Sequence, residues 1–192
     1  GERGASPAAD APERFGLEGE SSDLQRAFFA GILREHQGIG RVLEIGFHTG
    51  GSARAFLSAR ENVTVTSFDI ARHGHEVDFW HYTRRMFPGR HTLVIGNSTV
   101  ALPAYAAANP LERFKLFFID GNHGEEGALL DVRNALALAE PGALVVMDDY
   151  APWVQWGQGP YEAWRRAQEE GLIEHLRIFR EENGGWAEVE PG

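Results

Sequence analysis

Three carboxylates and an imidazole follow two apolar stretches in the second half of the chain. Asp120 follows one stretch, with His123 three residues further on, and the adjacent pair Asp148 and Asp149 follows the other. If the stretches are neighbouring parallel strands, the three acids lie at one edge of a sheet. Like charges so close together are unfavourable unless a proton or a cation lies between them. Because Mg²⁺ prefers oxygen ligands, the pattern predicts a magnesium site built from the three aspartates.

The same residues also allow an arrangement without a metal. Adjacent residues of a strand point to opposite faces, so Asp148 and Asp149 can bind one ion only where the strand is already turning. Otherwise one acid caps a helix and another is solvated. Near a metal, His123 can accept a proton from a substrate hydroxyl. Its alternative role is that of a helix-start residue bonded to the backbone.

A second candidate site is predicted at residues 41–52, where an apolar run ends in glycines. Gly46 and Gly50 follow Glu44 with the spacing Glu-x-Gly-x-x-x-Gly, and Ser52 opens a helical pattern. A strand, a glycine turn and a helix start present backbone N–H groups that a ligand can approach closely. The spacing differs from the Gly-x-Gly-x-x-Gly of dinucleotide sites, which favours S-adenosylmethionine (SAM) over NAD.

Further polar residues come at the ends of predicted strands or inside the glycine turn. Asp69 ends the second strand, where doubly wound nucleotide binders hold ribose hydroxyls, although it can also cap a turn or helix. Gly96 and Asn97 follow the third strand. His48 is interpreted as a turn residue or cofactor neighbour. The other histidines outside the acid pattern have no partner pattern and are predicted to lie on the surface: His73, His75, His81, His91 and His175.

Alternating helices and strands must position these residues. The apolar periodicity predicts helices at 22–36, from about 52, at 76–86, from 98 with Pro103 interrupting or shortening it, at 125–139 and at 161–170. It predicts strands at 41–45, 62–69, 91–95, 114–119, 143–147, 174–179 and 185–188, the last two as a hairpin. This order predicts an α/β fold, a Rossmann-like three-layer sandwich whose seven-stranded sheet is mostly parallel with an antiparallel final strand.

The composition narrows the class of protein. A chain of 192 residues predicts one domain at 21–192, preceded by a leader or lid segment at 1–20 that lacks periodicity. The net charge of −10 argues against a nucleic-acid partner, because phosphate binding needs a basic surface. The absence of cysteine excludes disulfides and zinc–thiolate sites. No apolar run is long enough to cross a membrane, and a cytoplasmic location is predicted.

Taken together, these motifs resemble the class I SAM-dependent methyltransferases, from about residue 24 to the end. Residues 44–52 resemble the first motif of that family. Residues 117–123 and 138–150 resemble its magnesium-dependent branch of catechol-type and macrocin-type O-methyltransferases (Methyltransferase 24-like). The Asp-Asp pair ending the fifth strand is closer to the sugar-modifying members than to the catechol-type Asp-Asn, whereas the chain is short for those members.

The resemblance implies a role for each matching residue. Ser52 holds the cofactor carboxylate and Glu44 orients its amino-acid end, while Asp69 binds the ribose and Asn97 and Ser98 flank the adenine. His123 is the general base, acting with Asp120. The implied metal ligands are Asp120, Asp148 and Asp149. The implied cofactor site comprises Glu44, Gly46, Gly50, Ser52, Asp69, Ile70, Asn97, Ser98 and Asp120.

The expected function is a SAM- and Mg²⁺-dependent O-methyltransferase acting on a hydroxyl of a small molecule, a sugar or a phenolic natural product. Trp153, Trp156 and Tyr150 either wall the acceptor pocket or belong to the core. Three alternatives remain open: a metal-independent methyltransferase, an NAD-binding protein and a non-catalytic SAM-binding protein. The expected partner is a small-molecule acceptor, with a homo-oligomer left open.

Overall fold

The computed structural model describes residues 21–174, 177–182 and 185–189. The predicted segment 1–20 and His175 therefore lie outside the described residues. The helices are α1 (Asp23–Glu35), α2 (Gly51–Ala59), α3 (Glu76–Met86), α4 (Ser98–Ala108), α5 (Glu125–Leu136) and α6 (Gln158–Glu169). The strands are β1 (Arg41–Ile45), β2 (Thr64–Asp69), β3 (His91–Ile95), β4 (Phe114–Ile119), β5 (Ala139–Met147), β6 (Ile178–Glu182) and β7 (Gly185–Val189). None of the described helices is long and apolar enough to span a membrane.

Five of the described strands form one parallel sheet in the order β3-β2-β1-β4-β5. Val42 of β1 pairs with Val65 of β2 on one side and with Leu116 of β4 on the other. The chain thus runs outward from β1 to β3 and then returns to the other side of β1. Ligands of such sheets bind where the order reverses, beyond the carboxyl ends of β1 and β4.

The predicted seven-stranded sheet is wrong in its last two strands. Within the described residues, β6 and β7 form a separate antiparallel hairpin. Phe179 of β6 packs against Phe28 of α1, with ring centroids 4.7 Å apart. This apolar contact holds the hairpin against α1, while β6 and β7 pair with each other and not with β5.

Apolar residues cover both faces of the sheet, as a three-layer sandwich requires. Phe118 of β4 packs with Phe29 and Phe56 of α1 and α2 on one face. Its neighbour Phe117 lies on the opposite face in a cluster that includes Leu129 of α5. Successive strand residues point to opposite faces, so the apolar run at 116–119 of β4 fits a strand buried on both sides.

The sequence Ser-Asp-Leu-Gln at 22–25 predicts a capping box at the start of α1, and the structure confirms it, with Ser22 and Gln25 exchanging hydrogen bonds. The predicted break at Pro103 is wrong, because α4 continues through it to Ala108. Leu102 is fully buried and anchors the helix in the core, which outweighs the lost backbone bond. The pair Pro141 and Gly142 predicts a turn before the fifth strand, but both residues lie inside β5, where the pairing register with β4 shifts.

Candidate active site

The glycine loop, residues 46–51, joins β1 to α2 and lies against the end of β4. Gly46 has φ +95°, and a Cβ built on it would come 2.0 Å from the backbone oxygen of Asp120. Gly50 has φ +74°, and its Cβ would come 2.5 Å from the ring of Phe47. Only glycine fits either position, so the spacing seen in the sequence reflects a close backbone approach.

Strained backbone conformations gather at this edge of the sheet. His48, Ala71 and Asp149 are the described non-glycine residues with positive φ, at +47°, +55° and +56°. They follow β1, β2 and β5 respectively. Residues held in this region cost free energy and cluster at functional sites, so the strain marks the carboxyl edge as the candidate site.

Glu44 of β1 is completely buried beneath the glycine loop. Its carboxylate accepts hydrogen bonds from the hydroxyls of Ser52 in α2 and Ser67 in β2. Burial raises the pKa of Glu44 to about 8, although both hydroxyls oppose the shift. Ser67 Oγ also lies 2.9 Å from Nε2 of His91, whose pKa burial lowers to about 4. The predicted surface position of His91 is therefore wrong, because it packs in the core beneath this network.

Asp69, at the end of β2, ties the glycine loop to the neighbouring strand. One carboxylate oxygen accepts from the backbone N–H groups of Phe47 and His48, at 2.7 and 2.8 Å. The other accepts from the N–H of Ala71 at 2.7 Å. Two backbone donors thus tie the glycine loop to Asp69 and a third ties the loop after β2, and the predicted alternative of a turn cap describes these contacts.

The predicted adenine side lies at the ends of β2 and β3. Asn97 is the N-cap of α4 and accepts from the N–H of Thr99 at 3.1 Å, with Ser98 half-buried beside it. Ile70 and Ile95 expose 45% and 55% of their surfaces. The two isoleucines therefore present apolar surface beside a helix start.

The acid cluster, defined as Asp120, His123 and Asp149, lies at the ends of β4 and β5. A ligand atom of each residue lies within 4.8 Å of those of the other two. His123 Nε2 is 3.2 Å from Asp149 Oδ2 and 3.8 Å from Asp120 Oδ1. Two carboxylates and an imidazole thus converge on one point at the sheet edge.

Asp148 points elsewhere. Its Oδ2 accepts a hydrogen bond of 2.8 Å from Nε2 of Gln25 in α1, and its Oδ1 accepts one of 2.9 Å from the N–H of Asp149. The strand is turning at this pair, as the positive φ of Asp149 shows. Gln25 is a site residue that the sequence analysis missed, since its part in the capping box gave no sign of a contact 123 residues away.

The electrostatics of the acid cluster follow from partial burial of like charges. Burial raises the pKa of Asp120 to about 7, and the charges of Asp148 and Asp149 act in the same direction. Burial likewise raises the pKa of Asp148. The Asp120 carboxylate in turn raises the pKa of His123 above its usual value. The cluster therefore favours a bound proton or cation.

Trp153 and Trp156 follow β5 in an exposed loop, with 62% and 58% of their surfaces accessible. Their alternative role as core residues is therefore wrong. Tyr150 packs against Tyr161 of α6, with ring centroids 5.2 Å apart. A groove of about 400 Å³ beside His81 lies at the C-terminal end of α3 and contains no residue of either predicted site.

Two further predicted surface histidines belong to a second cluster. His73 is exposed, but His75 is half-buried, and ligand atoms of both lie within 4.8 Å of one of His48. Burial lowers the pKa of His48, and the two neighbouring histidines act in the same direction. The His-Gly-His spacing was the available signal, and its partner in the glycine loop could not be seen without the fold.

The sequence matches the family described as a methyltransferase domain over residues 43–150, more than half of the chain. The chain belongs to this methyltransferase family, which confirms the resemblance inferred from its motifs. No curated protein matches the sequence.

Solved structures with this fold include an O-methyltransferase from Bacillus cereus in complex with SAH, at 18% identity and a TM-score of 0.71, with 94% of this chain and 83% of that chain covered. A second is TomG from Streptomyces achromogenes, an O-methyltransferase involved in tomaymycin synthesis and solved with SAM. It shares 18% sequence identity at a TM-score of 0.67, with 88% of this chain and 78% of that chain covered. Cofactor-bound Rv0187 from MTB shares 22% identity at a TM-score of 0.66, with 95% of this chain and 83% of that chain covered. At these identities the similarity establishes the Rossmann-like methyltransferase fold.

Proposed function

We propose that the chain is a SAM-dependent O-methyltransferase that methylates a hydroxyl of a small molecule, a sugar or phenolic natural product, with the help of Mg²⁺. The observation that carries the proposal is the convergence of Asp120, His123 and Asp149 beside the glycine loop. Gly46 approaches the Asp120 backbone so closely that the two sites adjoin. Methyl transfer needs adjoining sites, because the acceptor oxygen must lie roughly 3 Å from the methyl carbon, opposite the sulfur.

The glycine loop and the ends of β2 and β3 form the proposed cofactor side. Asp69 holds the loop through two backbone bonds, from Phe47 and His48, which supports a preformed turn. Ile70 offers exposed apolar surface for a base, and Asn97 and Ser98 stand at the start of α4 beside it. Glu44 and Ser52 support the loop from beneath by bonding to each other.

The acid cluster fits a divalent cation, because its part-buried carboxylates converge, and burial together with the charges of Asp148 and Asp149 raises the pKa of Asp120. Asp120 and Asp149 would hold the ion, joined by Asp148 if its bond to Gln25 is exchanged. A bound Mg²⁺ would supply Lewis-acid chemistry that lowers the pKa of the acceptor hydroxyl. His123 is proposed to take the hydroxyl proton, and the adjacent carboxylates stabilise the imidazolium that results.

A small-molecule acceptor is proposed rather than a nucleic acid, because the net charge of −10 would repel a phosphate backbone. Trp153 and Trp156 are exposed directly after the paired aspartates, where aromatic walls suit a sugar or phenol ring. A cytoplasmic location, a homo-oligomer and a leader at 1–20 before one domain at 21–192 stay predictions.

The test compares SAM binding with methyl transfer in the full-length chain. Calorimetry measures SAM affinity, and formation of the demethylated cofactor measures turnover with catechol and a methyl rhamnoside as acceptors. For Asp149→Ala we expect turnover to fall about 100-fold or more, as for other lost charge-stabilising groups. SAM affinity should stay within about threefold, because the residue lies outside the glycine loop. A chelator should have the same effect on the parent chain, reversed by Mg²⁺.

The control is Asp78→Ala, which removes an exposed aspartate on α3 and should change neither quantity. Failure of the parent chain to bind SAM would overturn the cofactor assignment. Full turnover in excess chelator would remove Mg²⁺ from the proposal.

A metal-independent methyltransferase is the second candidate. The observation that favours it is the distance of 3.2 Å between His123 Nε2 and Asp149 Oδ2, which pairs an imidazole with a carboxylate without any ion. In that case turnover would survive the chelator and would be lost in His123→Ala. The two candidates therefore differ in the chelator result alone.

A further inference from the structure

Three histidines from two loops meet beside the glycine loop, away from the acid cluster. His48 lies within the glycine loop, and His73 and His75 lie in the loop between β2 and α3. Each residue has a ring nitrogen within 4.8 Å of a ring nitrogen of the other two. The His48 ring stands nearly perpendicular to the other two, at centroid distances of 5.0 and 4.8 Å. The His73 and His75 rings are stacked on each other at a centroid distance of 5.3 Å, so the three imidazoles form one packed group.

Two of these rings carry buried nitrogens that the protein does not use. His48 Nδ1 and His75 Nε2 are buried and have no hydrogen-bond partner among the described residues. Buried polar atoms in folded proteins are nearly always paired, so an unpaired one calls for an explanation. A bound ion that accepts both lone pairs supplies one.

Glu76 orients the third ring. Its side chain is 1% exposed, and its Oε1 lies 2.9 Å from the backbone N of His73 and 3.0 Å from Nδ1 of the same residue. A carboxylate that accepts from one ring nitrogen fixes the tautomer and leaves the other nitrogen with a free lone pair. His73 Nε2 is thereby prepared as a ligand atom. Its side chain is 60% exposed, which leaves a path from solvent.

We propose that His48, His73 and His75 form a binding site for a divalent transition-metal ion of the zinc type, with Glu76 as the carboxylate that orients His73. Imidazole suits zinc, copper and nickel, whereas magnesium prefers oxygen ligands. Tetrahedral zinc with Zn–N of about 2.0–2.1 Å needs ligand nitrogens roughly 3.4 Å apart, so the rings close slightly on binding. The fourth position faces solvent and is left for water.

The site joins the two loops that Asp69 already connects through its bonds to His48 and Ala71. A metal there adds a second link between the glycine loop and the β2–α3 loop. The three-histidine site is separate from the acid cluster, and metal binding there does not depend on methyl transfer. The proposed zinc-type ion has a structural role, and Mg²⁺ would not take its place.

The test uses tag-free, metal-free full-length protein titrated with Zn²⁺ by calorimetry and with Co²⁺ by visible absorption. The Asp149→Asn background removes the acid cluster as a competing site. We expect one equivalent to bind, with shifted imidazole NMR signals from three histidines. His73→Ala should weaken binding at least about 100-fold, and Glu76→Gln should weaken it about tenfold, as for other orienting carboxylates.

The matched control is His81→Ala, an exposed histidine on α3 outside the cluster, which should bind Zn²⁺ as the parent does. Because His73 is exposed, its replacement is not expected to unfold the chain, and circular dichroism checks this. His75→Gln provides a second variant with the same expected loss. Absence of a 1:1 complex, or a complex unchanged in both His73→Ala and His75→Gln, would overturn the proposal.

Discussion

The glycine loop and the acid cluster lie at the same edge of the sheet, yet their carboxyl groups have different kinds of partners. At the glycine loop, Glu44 accepts from two serine hydroxyls and Asp69 from three backbone N–H groups. In the acid cluster, the described ion pairs of Asp120 and Asp149 are both made to His123, which itself titrates.

This difference distinguishes the glycine loop, whose carboxyl groups hold the backbone, from the acid cluster, which is the candidate reactive site. Carboxylates satisfied by the chain's own donors fix a loop before any ligand arrives. Carboxylates that repel each other in a part-buried site favour a proton or a cation from outside. The glycine loop is therefore preformed, and the acid cluster is the part that the proposed cation would complete. Substitutions at three positions probe this contrast.

Gly46→Ala breaks both regions together and has the largest expected effect. The added methyl would meet the Asp120 backbone oxygen at 2.0 Å, in a conformation with φ +95°. Because backbone on both sides must move, we expect the free energy of unfolding to fall by about 3 kcal/mol or more. Urea denaturation measures this. The matched control is Gly38→Ala, which meets nothing within 4 Å and should change stability by less than about 0.5 kcal/mol.

Glu44→Gln tests the buried carboxyl group beneath the glycine loop through the pH dependence of the free energy of unfolding. Glu44 has a pKa of about 8 in the fold against 4.5 for an unperturbed glutamate, so the unfolded chain loses this proton first as pH rises. The contribution of Glu44 to the free energy of unfolding is fully present below pH 4.5 and is lost as pH rises through 8. The loss is on the order of a few kcal/mol. Glutamine cannot ionise, so the variant should become progressively more stable than the parent across this range.

The comparison of Glu44→Gln with the parent chain is made at pH values above the ordinary pKa of a histidine. The pKa of His91 is lowered from 6.5 to about 4, so its stability contribution falls as pH drops through that interval, opposite in sign to Glu44. Above pH 6.5 this opposing contribution no longer changes with pH. Denaturant titrations from pH 6.5 to about pH 9 should diverge from the parent for Glu44→Gln and stay parallel to it for exposed Glu61→Gln. Parallel curves for both variants would contradict the burial argument.

Local patterns predicted most of this fold because they depend on neighbouring residues. The capping box at Ser22 and the apolar run of β4 each determine their own element. The placement of the hairpin depends instead on Phe179 meeting Phe28, a contact that no local pattern encodes. Pro103 was misjudged for the same reason, because burial of Leu102 overrides the local preference.

The candidate site likewise has features that a sequence rule predicts and contacts that depend on distant parts of the chain. Its acids follow from the rule that parallel strands end at one edge, which brought Asp120 and Asp149 together. Which oxygen of Asp148 meets which partner depends on a helix at the start of the chain. The cluster around His75 needed two loops to be brought together in space, although its members were visible as residue types.

Gln25 offers the smallest and most discriminating change, because it connects α1 to the acid that the cluster leaves out. Gln25→Ala removes the cap bond from Ser22 and the bond to Asp148, at a cost of about 1 kcal/mol that grows with pH because the bond lowers the pKa of Asp148. Gln25→Glu keeps the cap acceptor but brings a second negative charge against Asp148. Repulsion raises the carboxyl pKa values in the fold, so stability should match the parent near pH 4 and fall below it as pH rises to about 7.5. Urea denaturation in chelator at both pH values measures this, and a Gln25→Glu chain as stable as the parent at the higher pH would show that the Gln25–Asp148 contact does not form.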